Sequence, residues 1–381
     1  MTMAHDNLRG RYVIAGIGHT AYGKLPGRDT VSLNVEACRH ALADAGIGKD
    51  VVDGVLVKVP TSAHQFMYGQ KVAEALGIQP RVGGAWDQGG AANIQLISYA
   101  IMAIDAGQCD VALVCYADNP RSGSRNVYAR PRGDDAAYGW FATAAGYGMI
   151  HRRHVIEYGT RPEHFGAVAI ASRKHGAQNP DAQLRSPLTM EQYLQSPWVV
   201  DPLRRDDCAL VSDGAAAVVV MSAKRAKSLG VAMPVPVLGF GAGQTSWEVP
   251  VRKTLTTTEA VKAGATAFAM AGVTPKEVDV AQIYDCFTIT VIQTLEDYGF
   301  CAKGQGGEFV SGGRIEHGGE LPVNTSGGLL SETGMPGMQL VMEGVRQMRG
   351  TARLQVPGAK VSLVSGQGGT MHTHNALILG A

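Results

Sequence analysis

Aromatic side chains are scarce in this chain, 6% of 381 residues, and charged ones make up only 18%. So little charge beside 45% apolar residues excludes a disordered chain and implies large buried cores. Neither sign of charge prevails: 34 Lys plus Arg stand against 33 Asp plus Glu, a formal net charge of +1. Without a basic excess, neither nucleic acid nor an anionic membrane surface is an expected partner. No apolar run approaches the roughly 18–20 residues needed to span a bilayer. The stretch from Met1 to Arg11 is polar and lacks a signal-peptide core. Cys38, Cys109, Cys115, Cys208, Cys286 and Cys301 include no C-x-x-C pair. A zinc site or disulfide framework is therefore not expected, and reduced thiols in the cytoplasm are.

Glycine is abundant: 49 residues, scattered without a G-x-y period. That excludes collagen and points to tight turns and close backbone approaches. At about 100–200 residues per domain, the length suggests two core units. An internal repeat says where they divide. At one constant offset, Ala41, Ala43, Ala45, Gly46, Val52 and Asp53 meet Ala267, Ala269, Ala271, Gly272, Val278 and Asp279. Each stretch reads as a helix closed by a glycine, then a turn into an apolar strand. Before them stand two short apolar strands ending in glycine, Tyr12 to Gly18 and Val235 to Gly241.

Each half then reads as β-α-β-α-β, residues 1–230 and 231–381. Strands are expected at Val111 to Tyr116, Val218 to Met221, Ala281 to Tyr284, Lys360 to Val364 and Asn375 to Leu379, and helices at Ala92 to Ala106 and Met338 to Met348. Alternation of this kind argues for a mainly parallel sheet with helices on its faces. The stretch from Asp118 to Pro202 fits neither half and is expected to be a lid or substrate-covering loop. His151 and His154, in the run G-M-I-H-R-R-H, read as a helix surface there.

Several segments in order resemble the thiolase superfamily, in its sterol-carrier-protein-2 (lipid-transfer) branch. They are Tyr158-Gly159-Thr160 with Asn179-Pro180, Asp207-Cys208 with Ser212 to Ala217, Tyr284-Asp285-Cys286-Phe287, and Val323 to Ser331. The resemblance implies duplicated βαβαβ halves in α-β-α-β-α layers and a homodimer formed through the N-terminal half. It also implies a nucleophilic cysteine at the N-terminus of the helix after the second strand, where the helix dipole lowers the thiol pKa. In this chain that position falls on Gly90, within Asp87-Gln88-Gly89-Gly90-Ala91-Ala92, with no Cys, Ser or Thr in the turn. The branch's His-Asp-Cys-Phe becomes Tyr284-Asp285-Cys286-Phe287, and Gly334 falls where a histidine is usual. The usual second cysteine is absent from Ser365-Gly366-Gln367-Gly368-Gly369. Claisen chemistry needs a thiolate and a base, so ordinary thiolase activity is not expected.

The chain is most similar to a subgroup, the thiolase-like aldolases of steroid side-chain degradation. These carry a tyrosine at the Tyr284 position and work with a small DUF35-type partner. Their chemistry implies retro-aldol cleavage of a β-hydroxyacyl-CoA thioester, with no covalently bound cofactor. The subgroup's second tyrosine is here Gly334. Tyr284 is the candidate proton carrier, provided its free pKa of about 10 is lowered; the alternative is a buried tyrosine with a satisfied hydroxyl. Gly89, Gly90, Gly327, Gly328, Gly368 and Gly369 form turns that offer backbone N–H donors to a thioester, or are inherited packing turns. His372 and His374 lie in H-T-H, where i and i+2 face one way. An acid role, a structural role and metal ligation all stand open, although two ligands alone make no metal site. Other readings are an acyltransferase or degenerate thiolase using a thiol such as Cys286, and a non-catalytic acyl-CoA or lipid-binding scaffold.

Overall fold

A computed structural model of the chain describes residues 8–124, 133–335 and 337–381. Residues 1–7 of the polar N-terminal stretch, residues 125–132 of the insertion and Pro336 therefore lie outside the described residues. The N-terminal half runs β1 (Tyr12–His19), α1 (Thr30–Ala45), β2 (Gly54–Lys58), α2 (Tyr68–Leu76), β3 (Val82–Trp86), α3 (Ala92–Asp105) and β4 (Val111–Asp118). The insertion holds α4 (Thr143–Tyr158), α5 (Pro162–Gln178), β5 (Trp198–Val200) and β6 (Leu203–Arg204), and β7 (Gly214–Ser222) closes the half. The C-terminal half runs β8 (Val235–Gln244), α6 (Ala260–Ala271), β9 (Val280–Gln282), α7 (Thr288–Asp297), α8 (Met338–Arg349), β10 (Val361–Gly368) and β11 (Thr373–Gly380). Shorter helical turns lie between these elements.

The repeated stretches fold alike. Helix α1 ends at Gly46 with φ 69° and α6 at Gly272 with φ 61°, a left-handed backbone that favours glycine. Asp53 accepts hydrogen bonds from the Asp110 and Val111 N–H groups at 2.9 Å each and so anchors the start of β4. Its repeat partner Asp279 accepts from Lys360 and Val361 at 2.7 and 2.9 Å and anchors the start of β10. A Cβ at Gly16 would overlap the Ala41 carbonyl, and one at Gly239 the Ala267 carbonyl. In both halves, then, the first strand touches the first helix backbone to backbone.

The strand order is β3-β2-β4-β7-β1-β8-β11-β10-β9. The two halves join where β1 meets β8, through Val13–Pro236 and Ile14–Val235. The expectation of a mainly parallel sheet is corrected. Only β2/β3, β2/β4 and β9/β10 are parallel, while β1/β7, β4/β7, β8/β11, β10/β11 and β1/β8 are antiparallel. The cause is in the connections. The insertion leaves and rejoins the sheet at one end, so β7 runs back against β4. Residues 369–372 are too few for a crossover, so β10 and β11 form a hairpin.

Three cores give the layers. One lies between α1, α2 and the N-terminal strands, with Leu33, Val57 and Val72. A central one holds α3 and α8, with Ile97, Val341 and Val345 against strands of both halves. The third covers the other face of the C-terminal strands. Here the expectation for the insertion is also corrected. Instead of a covering loop, α4 and α5 bury Tyr147, Ile150, Phe165 and Val168 against Ile289, Ile292 and Leu295 of α7. His151 and His154 follow, and are buried rather than on a surface. His154 pairs with Thr160 Oγ1 at 2.8 Å and with Glu296 at 3.2 Å. A repeat cannot reveal such packing, because the insertion has no counterpart in the other half.

Candidate active site

Tyr284 lies two residues beyond β9, held at both ends of its backbone. Its N–H donates to Ser365 Oγ at 2.8 Å, and its carbonyl accepts from Thr290 Oγ1 at 2.8 Å. The preceding residue, Ile283, is bracketed by the Asn324 amide, at 2.7 Å from its N–H and 2.8 Å from its carbonyl. The phenol is 6% exposed and lies against Gly90, at the turn that opens α3. A Cβ built at Gly90 overlaps the Tyr284 ring and hydroxyl. The ring thus fills the space a side chain at residue 90 would take. It does so at a helix N-terminus, where the first N–H groups have no partner within the helix. Gly337 closes the far side: its Cβ would lie 2.8 Å from the Gly90 carbonyl and 3.4 Å from Tyr284 Cε2.

Two glycine turns interlock beside the phenol. A Cβ at Gly89 would lie 2.8 Å from Gly368 Cα and 2.9 Å from the Gly369 nitrogen. Thr373 Oγ1 donates to the Gln88 carbonyl at 3.1 Å. Gly89, Gly90, Gly368, Gly369 and Tyr284 are therefore brought together. Gly327 and Gly328 are not part of that group. Gly327 packs on Gly176, and the turn's Leu329 and Leu330 N–H groups donate to the Asp285 carboxylate at 2.8 and 3.3 Å. That turn holds the segment carrying Tyr284. Burial raises the Asp285 pKa to about 7, and the two N–H donors limit the rise.

The insertion supplies a residue that sequence reasoning missed. The Tyr147 hydroxyl on α4 donates to the Gly369 carbonyl at 2.5 Å and accepts from Gln367 Nε2 at 2.6 Å. Gln367 also reaches Cys286 Sγ at 3.3 Å, and the Tyr147 ring stacks on Phe287 at 4.3 Å. Ser365, Gln367 and Asn324 were missed as supports as well. Only Asn324 had a signal, its place before the Gly327-Gly328 pair.

Comparison with known proteins gives the family. Residues 241–381 match the family model "Thiolase C-terminal domain-like". The chain is 37% identical, over 98% of its length and 100% of the relative's, to the 17-hydroxy-3-oxo-4-pregnene-20-carboxyl-CoA lyase of Mycobacterium tuberculosis. It is also 37% identical, over 98% of its length and 99% of the relative's, to the steroid side-chain-cleaving aldolase of Thermomonospora curvata. The solved structure of an Ltp2-ChsH2(DUF35) aldolase superposes with a TM-score of 0.89 at 36% identity, covering 98% of each chain. The chain belongs to the thiolase-like aldolases.

In this thiolase-like aldolase, the remaining expected groups sit as follows. His372 is a clamp within the turn. Its Nδ1 accepts from the Thr370 N–H at 2.6 Å, its Nε2 meets the Trp247 carbonyl, and its ring stacks on Trp247 at 4.5 Å. His374 is fully buried on β11, and burial together with nearby Arg252 holds its pKa down to about 3. Near neutrality its ring is therefore uncharged, a weak acid that keeps a single N–H. Gly334 leaves no room for a side chain: a Cβ there overlaps the Leu210 carbonyl, while its N–H donates to Ser212 Oγ at 2.9 Å. Burial pushes the Cys286 thiol up to about 11, which leaves little thiolate for acyl transfer. Among the described residues, no group of three or more His, Cys, Asp or Glu is placed to hold a metal, and no helix is long and apolar enough to cross a membrane.

A cleft of about 570 Å³ backs the Tyr284 segment. Arg121, Arg173 and Arg205 line it beside Ala209 and Leu210. The Ala209 N–H donates to the Cys286 carbonyl at 2.9 Å, so this wall is tied to the Tyr284 segment. Arg173 and Arg205 share Asp206 at 3.1 and 3.3 Å, which leaves the cleft with an excess of positive charge.

Proposed function

We propose that the chain cleaves a β-hydroxyacyl-CoA by retro-aldol chemistry, with Tyr284 as the proton carrier. The observation that carries this reading is the phenol of Tyr284 against Gly90 at the opening of α3. Tyr284 as phenolate takes the proton of the β-hydroxyl. The O–H electrons form the new carbonyl, the Cα–Cβ bond breaks, and its electron pair moves into a thioester enolate. The Gly89 N–H is held by the Asp87 carboxylate at 2.9 Å, so backbone N–H groups of Gly90 and the Gly368-Gly369 turn are the ones to stabilise the enolate oxygen, with the helix N-terminus adding positive potential. The phenol then returns its proton to Cα, so one residue closes the cycle without an acid from His374 or a residue at position 334. The products are a ketone or aldehyde and a shortened acyl-CoA.

The arginine-lined cleft suits the phosphates of CoA, because guanidinium groups bind phosphate through paired hydrogen bonds. A steroid acyl group is proposed from the activities of the two relatives. A DUF35 partner is proposed from the Ltp2-ChsH2(DUF35) structure. A homodimer is proposed through β3, the outer strand on the N-terminal side, where Trp86 is 40% exposed and one row of backbone groups has no neighbouring strand among the described residues. The six free cysteines, three of them buried, fit a reducing compartment such as the cytoplasm.

The test is Tyr284→Phe, assayed with β-hydroxyacyl-CoA candidates, with and without a DUF35 partner. Cleavage is expected to fall about 10²–10⁴-fold, the usual contribution of a positioned acid or base, while acyl-CoA binding is unchanged. Turnover equal to wild type would overturn the mechanism. A stable acyl-enzyme after incubation with labelled acyl-CoA would favour acyl transfer instead.

A further inference from the structure

Three buried side chains and the half-buried Arg252, beside the reaction turn, have buried polar atoms without hydrogen-bond partners. They are Trp140 Nε1, Arg252 Nη2, Thr370 Oγ1 and a ring nitrogen of His374, whose ring otherwise meets only the Met371 backbone. They come from three separate stretches of chain and meet at one place. Arg252 Nη1 donates to the Thr370 carbonyl at 2.7 Å, and its Nε to the Ser246 carbonyl at 3.2 Å. The Arg252 charge acts on His374, and the Met371 backbone offsets only part of that ring's burial penalty. A Cβ built on Gly146 would lie 2.5 Å from Trp140 Cζ2 and 3.1 Å from Thr370 Oγ1, so those two side chains flank one point. The next residue on α4 is Tyr147, whose hydroxyl holds the Gly369 carbonyl.

Partnerless buried polar atoms are costly, and native proteins rarely leave several of them together. Arg252 adds a charge argument. It is half-buried and forms no ion pair among the described residues, and burial already disfavours its charge. An indole N–H, a guanidinium N–H and a hydroxyl are all donors, and a neutral imidazole can donate through one nitrogen. The place is therefore rich in donors and short of acceptors.

We propose that Trp140, Arg252, Thr370 and His374 form a subsite for an acceptor oxygen on the acyl group, most strongly a carboxylate remote from the thioester. This rests on the acyl-CoA reading above and adds a determinant of which acyl group is taken. The subsite lies one residue from Gly369, which abuts Gly89, so a substrate with its thioester at the glycine turns can present its far end there. The guanidinium gains the anion it lacks, and the indole and hydroxyl each gain an acceptor.

The test uses calorimetry in a Tyr284→Phe background, where cleavage is blocked. The probes are 3-hydroxyadipyl-, 3-hydroxysuberyl- and 3-hydroxysebacyl-CoA, each compared with the methyl-ended 3-hydroxyacyl-CoA of equal length. At least one carboxylate-ended probe is expected to bind about tenfold tighter than its methyl-ended match, a hydrogen-bonded charge pair being worth at least that much. Arg252→Met should erase the preference and leave methyl-ended binding unchanged. Trp140→Phe, which keeps an aromatic ring and removes the N–H, should reduce the preference and gives a second reading if Arg252→Met does not fold. Equal binding of every pair, or a preference that survives both substitutions, overturns the subsite and leaves the lyase reading intact. Failure of every acyl-CoA to bind overturns the lyase reading first, and the subsite with it.

Discussion

At Gly90 an added methyl meets the Tyr284 ring and hydroxyl. Gly90→Ala should therefore move the phenol and cut cleavage at least as far as a misplaced base does, about 10²-fold. Overpacking of this kind costs about 1–3 kcal/mol, so urea unfolding should show a lower midpoint with a folded baseline retained. Gly90→Cys should give no thiolase activity and no labelled acyl-enzyme. Its thiol would compete with the phenol for space, and Gly334 offers no histidine to act as base. Tyr284 was legible in the sequence because it replaces a histidine within a recognisable four-residue motif. Ser365, Gln367 and Tyr147 were not, because each meets the Tyr284 segment or its turn from a distant part of the chain. For His374, the H-T-H spacing gave a shared face but not its burial, and burial decides its charge.

At the scale of elements, the two repeats make the same contact twice. Gly16 rests on Ala41, and Gly239 on Ala267, backbone to backbone. Gly239→Ala and Gly16→Ala should each destabilise the chain by about 1–3 kcal/mol or more, because the obstacle is a carbonyl that cannot rotate away. Urea denaturation checks this, and Gly48→Ala serves as control, since nothing lies within 4 Å of a Cβ there. The repeat made helix ends, strand starts and their glycines legible. It did not reveal strand direction. Direction depends on the end at which the insertion rejoins the sheet and on the four-residue link between β10 and β11.

Across the whole molecule, buried titratable groups set the pH dependence of stability. Burial raises Glu332 to about 8 and Asp285 to about 7, so the folded chain keeps protons that the unfolded chain releases above about pH 4. Their effect is a stability that falls as pH rises to about 8. Burial lowers His151 and His374 to about 3 and His175 to about 4, so these oppose that trend only below about pH 6.5, where the unfolded chain gains protons. Between pH 6.5 and 8 the carboxyls act unopposed by these histidines. Unfolding free energy should decline over that range, and Glu332→Gln should remove most of the decline. An unchanged slope in the variant would place the cause elsewhere. The proposed dimer is read by light scattering: a dimer mass is expected, and Trp86→Lys on the outer strand should shift it to the monomer.

The central claim is that the Tyr284 hydroxyl meets the substrate's β-hydroxyl. A crystal structure of the wild-type protein with a thioether analogue of a β-hydroxyacyl-CoA tests this most directly, because without the thioester carbonyl no enolate forms and no bond breaks. The β-hydroxyl oxygen should lie about 2.6–3.2 Å from Tyr284 Oη, within hydrogen-bond reach. A β-hydroxyl bound by other residues, with Tyr284 Oη beyond about 3.5 Å and no bridging water, would contradict it.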